Sequence, residues 1–430
     1  MDLLNANDKP GEFPPSYYAA TADLPAAAPA LTGSQTYDVA IVGAGYTGLS
    51  AALHLAKSGR SVALLEAHRA GFGASGRNGG QVGTGQRRDQ DDLEKMFGQT
   101  KAKALWKMGL EAVQLVKDLI CDHKIECDFK DGIIHADHRA RYVPESHAYA
   151  EKLRQSYSYD LIHPLDKAEI CDHIGSDNFH GGTLDLGGGH LHPLNYALGL
   201  RMACINNGVQ LFENTIVTNI EGTKITTAKG DLSANTILLA ANGYLGGLNA
   251  EVAARVMPIN NFILATEPLP QATASHLIRD NHAVADSRFV VNYWRLSSDN
   301  RLLFGGGESY GFRFPRDIKS LVRGKMLEVY PQLRDTRIDY AWGGTLGITM
   351  NRMPAFQRPA PNVISAAGFS GHGVAMATLA GKLMAKAIDG RDKGFDLFAN
   401  LPQQNFPGGT ALRWPLLVAA MTWYSLRDRL

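Results

Sequence analysis

The stretch "YDVAIVGAGYTGLSAALHLAKSGRSVALLEA", residues 37–67, places a glycine-rich turn between two short apolar runs. The run "YDVAIVG" predicts a buried strand, "YTGLSAALHLAKSG" an amphipathic helix, and "SVALLEA" a second strand. Gly43, Gly45 and Gly48 follow the first strand with the G-x-G-x-x-G spacing and open the helix. The stretch therefore predicts a βαβ unit of the kind that binds a dinucleotide.

Each residue of this turn has a physical reason for its type. Gly43 makes the turn, Gly45 lets a pyrophosphate touch the backbone, and Gly48 lets the helix pack on the strand. The first N–H groups of the helix and its positive dipole end favour phosphates. Glu66 ends the second strand about 20 residues later, where it can accept hydrogen bonds from a ribose. A plain surface charge is the competing interpretation of Glu66.

The segment "GFGASGRNGGQ", residues 71–81, indicates which dinucleotide to expect. It has five glycines in eleven positions, so it predicts neither the helix nor the third strand of an NAD domain. Glycine-rich backbone can instead lie along a large flat ligand. Two later segments return to the same nucleotide: "NTILLAANGY", and "AAGFSGHGVAMATLAGKL", whose helix N-terminus would face a flavin pyrimidine. We therefore predict FAD, bound across a domain interface.

The residues predicted to contact FAD come from these segments and from neighbouring strands. They are Gly43, Gly45, Tyr46, Thr47, Gly48, Glu66, Ala67, Gly73, Ala74, Ser75, Arg77, Asn78, Gly79, Gly80, Gln81, Val217, Ala241, Gly243, Gly344, Gly368, Ser370, Gly371, His372, Gly373 and Val374.

The sequence predicts a mixed α/β fold, in which a Rossmann-like FAD-binding domain is interleaved with a substrate domain built mainly on an antiparallel sheet. β-Branched and aromatic residues are frequent between residues 256 and 312, which favours that sheet. The predicted boundaries are 37–90, 181–250 and 335–395 for the FAD-binding domain, 91–180 and 251–334 for the substrate domain, 1–36 for an extended Pro- and Ala-rich arm, and 396–430 for a tail that contains a helix.

Composition argues against several other classes of function. The 430 residues include 43 basic and 42 acidic side chains, and a net charge of +1 gives no electrostatic case for binding nucleic acid. The four cysteines form no CxxC pair, and His190 and His192 have no third ligand beside them, so no metal site is predicted. No apolar run approaches the roughly 20 residues of a membrane span, and the N-terminus lacks the pattern of a secretory signal. We expect a cytoplasmic protein.

Together with "GGHLHPLN", "NRLLFGGG" and "RMP" at 352–354, these motifs resemble the superfamily of glycine, D-amino-acid and sarcosine oxidases. The resemblance runs from "SYYAA" at 16–20 to the C-terminus. It implies an FAD enzyme that removes hydride from a C–N bond. It also implies noncovalent FAD, because no cysteine follows Cys204 and Arg77-Asn78-Gly79 stands where some relatives have an attachment histidine.

Within this superfamily, "SGRNGGQ" and the tail "FANLPQQNFPGG" resemble members that oxidise γ-glutamylated putrescine. The resemblance implies oxidation of such an amine to an aldehyde, ammonia and hydrogen peroxide. Ala375 stands where sarcosine-oxidase-like relatives carry a lysine for the substrate carboxylate, so a small amino acid is disfavoured. Arg295 or Arg77 is expected to pair with the carboxylate of the γ-glutamyl head.

Alternatives to this function stay open at the level of sequence. One is FAD-dependent oxidation of a secondary or cyclic amino acid such as sarcosine or pipecolate. Another is a nucleotide-binding module without turnover. The electron acceptor is molecular oxygen or an electron carrier, and assembly as a homo-oligomer is compatible with the sequence.

The catalytic candidates are Tyr293, Arg295 and His372. The segment "FVVNYWRLSSDNRLLFGGGESYGF", residues 289–312, alternates along strands, which puts Tyr293 and Arg295 on one face and Trp294 on the other. His372 lies in the turn predicted over the flavin pyrimidine, with helix capping as the competing role. Trp342 either walls the cavity or packs in a core. His190 and His192 are expected to be loop histidines.

Overall fold

The computed structural model of this protein describes residues 3–309, 311–390 and 392–408. Two β-sheets with surrounding helices form the architecture. The helices are α1 Tyr17–Thr21, α2 Tyr46–Lys57, α3 Gln90–Phe97, α4 Gln99–His123, α5 Val143–Tyr157, α6 Lys167–Ile174, α7 Pro193–Asn206, α8 Ala250–Ala254, α9 Gln271–Leu277, α10 Ile318–Val329, α11 Gly373–Lys386 and α12 Lys393–Ala399. The strands are β1 Gly33–Val42, β2 Val62–Leu65, β3 Gln81–Val82, β4 Lys130–Ala136, β5 Ile162–Leu165, β6 Gly182–His190, β7 Gln210–Phe212, β8 Val217–Glu221, β9 Lys224–Thr227, β10 Gly230–Leu239, β11 Met257–Thr266, β12 Ala283–Asp286, β13 Tyr293–Leu296, β14 Leu302–Ser309, β15 Ile338–Ile348, β16 Ala355–Ala360 and β17 Val363–Ala367.

The first sheet has the strand order β16-β17-β10-β1-β2-β7, with β9 and β8 added beside β10. Strands β7, β2, β1, β10 and β17 run parallel. Helix α2 connects β1 to β2, which confirms the predicted βαβ unit. The chain leaves β1 toward β2 on one side and later adds β10 on the other side. A crevice therefore opens between the carboxyl ends of β1 and β10, where ligands bind in such sheets.

Helices α2, α4, α7 and α11 cover this sheet and share one apolar core with it. A Cβ at Gly381 of α11 would lie 2.3 Å from the carbonyl oxygen of Thr47 in α2, so glycine permits this helix contact. Helix α4 buries Leu105 and Val116 in the same core. The structure thus corrects the predicted substrate segment 91–180, because the apolar face of α4 packs on the FAD-binding layer.

The second sheet has the order β15-β11-β14-β13-β12-β4-β6-β3, with β5 beside β6. Its pairs are antiparallel except for β12 with β4, which confirms a mainly antiparallel sheet. Strands β6 and β15 belong here, although the boundaries 181–250 and 335–395 assigned them to the FAD-binding domain. The reason is that β6 pairs along β4, and β15 pairs along β11 through most of its length.

The N-terminal arm, predicted as extended over 1–36, is folded onto the rest of the protein. It contains α1, which the Ser16 side chain caps, and β1 already begins at Gly33. Tyr17 and Tyr18 of α1 are buried in an apolar cluster with residues of the second sheet. These two aromatic side chains hold the arm in place. They were a sequence signal for a packed arm, but its Pro- and Ala-rich composition favoured the prediction of an extended one.

Helix α12 is the last helix among the described residues, which extend to residue 408. The tail helix predicted within 396–430 lies beyond residue 408, outside the described residues. None of the helices that the structure describes is long and apolar enough to cross a membrane.

Candidate active site

One cavity connects the crevice of the first sheet with the face of the second sheet. Gly43, Glu66 and Ala241 line it on the side of the parallel strands, and Tyr293 and Glu308 line it on the side of the antiparallel sheet. A ligand in this cavity would therefore contact both sheets.

The turn after β1 leaves backbone open to the cavity. Gly43 has φ of 106°, in the left-handed region that favours glycine, and a Cβ there would lie 2.9 Å from the Ala240 carbonyl oxygen. A Cβ at Gly48 would lie 1.8 Å from the carbonyl oxygen of Gly43, so Gly48 permits the helix–strand contact. A Cβ at Gly45 would lie 2.9 Å from Ser75 Oγ, on the cavity wall.

Two helices begin at this cavity. Helix α2 starts after Gly45 and α11 starts after His372, and neither N-cap residue caps its helix with a side chain. The Tyr46 N–H donates to Ser75 Oγ at 3.0 Å, and the positive dipole ends of both helices face the cavity. This arrangement fits FAD, whose pyrophosphate and flavin ring both place electronegative atoms near such helix ends.

Glu66 lies on the cavity wall at the end of β2. The N–H groups of Ala44 and His68 donate to its two carboxylate oxygens at 2.8 and 3.0 Å. Burial raises the pKa of Glu66 to about 7, although these donors act in the opposite direction. Glu66 thus lies on the cavity wall, and its contact with a ribose stays a prediction from its spacing to the turn.

Most residues predicted to contact FAD line this cavity. Those on the wall are Gly43, Gly45, Tyr46, Thr47, Glu66, Ala67, Gly73, Ala74, Ser75, Arg77, Asn78, Gly79, Gln81, Val217, Ala241, Gly344, Ser370, Gly371, His372, Gly373 and Val374. Gly48, Gly80, Gly243 and Gly368 are not among the residues of the wall, and protein atoms lie close to a Cβ built at each of them. A Cβ at Gly368, for example, would lie 2.4 Å from the methyl group of Thr349.

The glycine-rich segment 71–81 owes much of its composition to neighbouring protein atoms. A Cβ at Gly76 would lie 2.3 Å from the carbonyl oxygen of Gly71, and one at Gly79 would lie 2.6 Å from the Tyr293 ring. The predicted approach of a ligand is therefore not the only physical reason for these glycines. Close packing between the segment and the second sheet requires several of the glycines.

Arg77 lines the cavity, but its guanidinium is bound by the protein. Nη1 forms an ion pair with Asp8 of the N-terminal arm at 2.8 Å, and Nε donates to the Phe72 carbonyl at 2.6 Å. The group also lies 4.4 Å from the centre of the Phe72 ring. Arg77 therefore fixes the arm over the site through Nη1 and Nε, while its buried Nη2 has no hydrogen-bond partner among the described residues.

Tyr293 and Arg295 share a face of β13, as the alternation predicts, but only Tyr293 reaches the cavity. The Tyr293 hydroxyl donates to Asn261 Oδ1. Arg295 is buried, with Nε donating to the Gly79 carbonyl at 2.9 Å and Nη2 to the Tyr18 hydroxyl at 3.3 Å. The predicted substrate contact of Arg295 is thus wrong, because α1 covers this side chain.

His372 lines the cavity at the start of α11. Its Nε2 is buried and has no hydrogen-bond partner among the described residues, and its side chain does not cap the helix. Burial, together with the nearby Arg87 guanidinium, lowers the pKa of His372 to about 4. His372 is therefore a neutral side chain that can bind a ligand.

The remaining candidates are structural. The side chain of His192 caps α7 and that of His190 bonds the Asn281 carbonyl, while burial lowers the pKa of both to about 3. The Trp342 indole is buried and donates to the Arg77 carbonyl at 3.0 Å. Within the described residues, no group of three His, Cys, Asp or Glu side chains could hold a metal ion.

Sequence reasoning missed six acidic, basic or histidine residues on the wall: His68, Arg87, His135, Asp286, Glu308 and Arg352. Arg87 lies six residues after the glycine-rich segment 71–81, and Arg352 stands in the quoted "RMP" motif. Their positions close to or within these motifs were the available signal. His135 lies on β4 and Glu308 on β14, and only the pairing of the second sheet brings them to the cavity.

Comparison with known proteins agrees with this geometry. The model of a family described as FAD dependent oxidoreductase (DAO) matches residues 38–387. The gamma-glutamylputrescine oxidoreductase of Escherichia coli (strain K12) is 42% identical over 97% of this chain and 99% of its own length. A probable oxidoreductase of Rhizobium meliloti (strain 1021), OrdL, is 41% identical over 96% of this chain and 97% of its own.

Solved structures share the fold. The glycine oxidase from Geobacillus kaustophilus superposes with a TM-score of 0.72 at 22% identity, covering 86% of this chain and 99% of that chain. The L-proline dehydrogenase from P. horikoshii superposes with a TM-score of 0.69 at 21% identity, covering 84% of this chain and 96% of that chain. At these identities the likeness concerns the fold.

Proposed function

Since this chain belongs to the FAD-dependent oxidoreductase (DAO) family, we propose that it oxidises a C–N bond of a γ-glutamylated polyamine such as γ-glutamylputrescine. The observation that carries the proposal is a single cavity that runs from the FAD-binding glycines to charged side chains of the second sheet. The Escherichia coli relative named gamma-glutamylputrescine oxidoreductase supports this substrate class.

Different residues of the cavity wall would bind different parts of FAD. Gly45 and the start of α2 would hold the pyrophosphate, Glu66 the ribose, and the start of α11 an electron-rich edge of the flavin. When bound, FAD accepts the hydride from the substrate C–H bond. No cysteine lies on the described wall, so we expect noncovalent FAD that acid precipitation releases completely into solution.

The side chains near the second sheet suit a neutral amine. Burial lowers the pKa of both His372 and His135, so each can accept a hydrogen bond from an amine while staying uncharged at neutral pH. Burial, Tyr18 and Glu308 raise the pKa of Tyr293, whose hydroxyl is held by Asn261. The net reaction converts amine, water and oxygen into aldehyde, ammonia and hydrogen peroxide.

Ala375 stands where sarcosine-oxidase-like relatives carry a lysine for the substrate carboxylate. A small amino acid would therefore find no cation for its carboxylate at this position. Ala375 is buried in the apolar core of the FAD-binding layer and supplies no charge to the cavity. We place the enzyme in the cytoplasm, where its four cysteines, which are free thiols in the structure, would stay reduced.

The test is a comparison of kcat/KM for γ-glutamylputrescine, putrescine, sarcosine and pipecolate, with ammonia and peroxide measured as products. We expect γ-glutamylputrescine to exceed each of the others by about tenfold or more, which corresponds to about 1.4 kcal/mol of transition-state binding. A tenfold preference for sarcosine or pipecolate would contradict the substrate assignment. Mixing the reduced enzyme with oxygen tests the acceptor, because slow reoxidation would instead favour an electron carrier.

A further inference from the structure

We propose that Arg87 and Arg352 bind the α-carboxylate of the γ-glutamyl head, and that Glu308 binds its α-ammonium group. This inference rests on the proposed function and assigns the charged end of the cavity to one part of the substrate. All three side chains line the same cavity as Tyr293 and His372.

Arg87 is the arginine that the protein leaves ready for an anion. Its side chain is exposed to the cavity, and among the described residues it makes no ion pair or hydrogen bond. Desolvation and the like charges of Arg352 and Arg88 lower its pKa. Cations gathered in a concave site favour binding of an anion. A carboxylate matches the planar guanidinium with two parallel hydrogen bonds.

The loop that carries Arg352 is held in place beside Arg87. Arg88 is ion-paired with Asp92 at 2.9 Å and donates through Nε to the Asn351 carbonyl at 3.3 Å. Arg352 has φ of 66°, a backbone conformation that few long side chains adopt, and its N–H donates to the Thr349 carbonyl. Such strained residues persist where the surrounding structure holds them, often at ligand sites.

Glu308 supplies the opposite charge. It lies on β14 opposite Asn261 of β11, the residue that accepts the Tyr293 hydroxyl hydrogen bond. Its charge acts on Arg87 as well, so the carboxylate and the two arginines belong to one electrostatic group. Two cations and one anion complement an amino-acid zwitterion.

The first experiment separates head recognition from chemistry at the amine. The holoenzyme variants Arg87→Gln, Arg87→Lys and Arg352→Gln are assayed with γ-glutamylputrescine and with N-acetylputrescine, which has the same reactive amine but no charged head. We expect each Gln variant to raise KM for γ-glutamylputrescine about 10- to 100-fold with kcat within about threefold, because a charged hydrogen bond is lost. N-acetylputrescine should respond by less than about twofold, and Arg87→Lys should fall between Arg87→Gln and the unmodified protein.

The second experiment measures binding without turnover. L-glutamine has the γ-amide head without the polyamine, and its affinity for the holoenzyme is measured by calorimetry or by the change in the FAD spectrum. Glutaramate lacks the ammonium group and 4-aminobutanamide lacks the carboxylate. We expect Arg87→Gln to weaken L-glutamine about tenfold or more, and Glu308→Gln to weaken L-glutamine but not glutaramate. The exposed Arg154→Gln on α5 is the matched control and should change neither affinity.

Two results would overturn the proposal. One is an unchanged KM and unchanged L-glutamine affinity in both arginine variants. The other is an equal loss for N-acetylputrescine, which would indicate a general structural effect. Failure of the proposed function would give a different result, because the unmodified enzyme would then not oxidise γ-glutamylputrescine. The effect of Arg87→Gln on L-glutamine binding would still test this site in that case.

Discussion

The nucleotide end and the substrate end of the cavity are built in different ways. At the nucleotide end, Gly43, Gly45 and Glu66 come from one βαβ unit, and their spacing along the chain determines their arrangement. At the substrate end, Arg87 and Glu308 come from distant segments that meet through the pairing of the second sheet. Local sequence pattern therefore predicts the glycine-lined end of the cavity, whereas only tertiary pairing assembles its charged end.

The largest expected effect tests the nucleotide end. Gly45→Val adds a branched side chain whose Cβ would lie 2.9 Å from Ser75 Oγ, and its methyl groups would enter the pyrophosphate path. We expect purified Gly45→Val to contain almost no FAD, measured by its absorption near the flavin bands. Gly324→Val is the matched control, because nothing lies within 4 Å of a Cβ at this position in α10. A yellow Gly45→Val with full flavin content would show that the turn does not hold the pyrophosphate.

The second effect tests the ion pair that joins the N-terminal arm to the glycine-rich segment 71–81. Asp8→Asn removes the partner of Arg77, whose side chain is 1% exposed. We expect the free energy of unfolding to fall by about 3 kcal/mol, because a buried cation is left without its counter-charge. The Lys9–Glu12 ion pair is exposed, so Glu12→Gln is the control and should change the free energy of unfolding by less than about 0.5 kcal/mol. Equal denaturation midpoints for the two variants would mean that the arm is not held by this ion pair.

These contacts show how far the sequence could be interpreted. The βαβ unit, the glycine turn and the helix at Gly373 were predictable, because each depends on residues close together in the chain. Strand alternation correctly placed Tyr293 and Arg295 on one face. It could not show that α1 covers Arg295, since Tyr18 lies 277 residues away.

The arginines illustrate the same limit. Arg77 and Arg295 were the predicted carboxylate partners because they lie next to predicted site segments. Backbone carbonyls bind both guanidinium groups, and the folded arm adds Asp8 beside Arg77 and Tyr18 beside Arg295. Charge type and motif position therefore identify candidates, and the packing around each guanidinium decides whether it faces a ligand.

The third prediction concerns pH and the nucleotide end. Burial raises the pKa of Glu66 from 4.5 to about 7 in the protein without FAD. In the protein without FAD, the contribution of Glu66 to the free energy of unfolding is therefore present at low pH. This contribution is lost as the pH rises from about 4.5 to about 7. Ribose hydroxyls that donate to Glu66 favour the ionised carboxylate, so FAD binding below about pH 7 must release a proton.

The dissociation constant of FAD should accordingly fall as pH rises from about 5 to about 7, by up to about tenfold per unit, and level off above pH 7. Titration of the FAD-free protein with FAD, followed by fluorescence quenching, measures this profile. Glu66→Gln should bind more weakly and with no such slope. If the unmodified protein gave a flat profile across this range, Glu66 would not be the ribose contact.

The smallest expected effect tests the point where the two ends of the cavity meet. Gly373 opens α11, and a Cβ there would have its nearest contact at 3.6 Å from Phe369 Cβ, so a short side chain fits. Gly373→Asp adds a negative charge where the helix dipole favours electron density on the flavin, and should lower the reduction potential of bound FAD by about 20–40 mV. Gly373→Asn has the same shape without the charge and should shift the potential much less. Equal shifts in the two variants would indicate a steric cause. An unchanged potential in Gly373→Asp, with FAD still bound, would place the flavin ring away from α11 and would assign this helix to the substrate end alone.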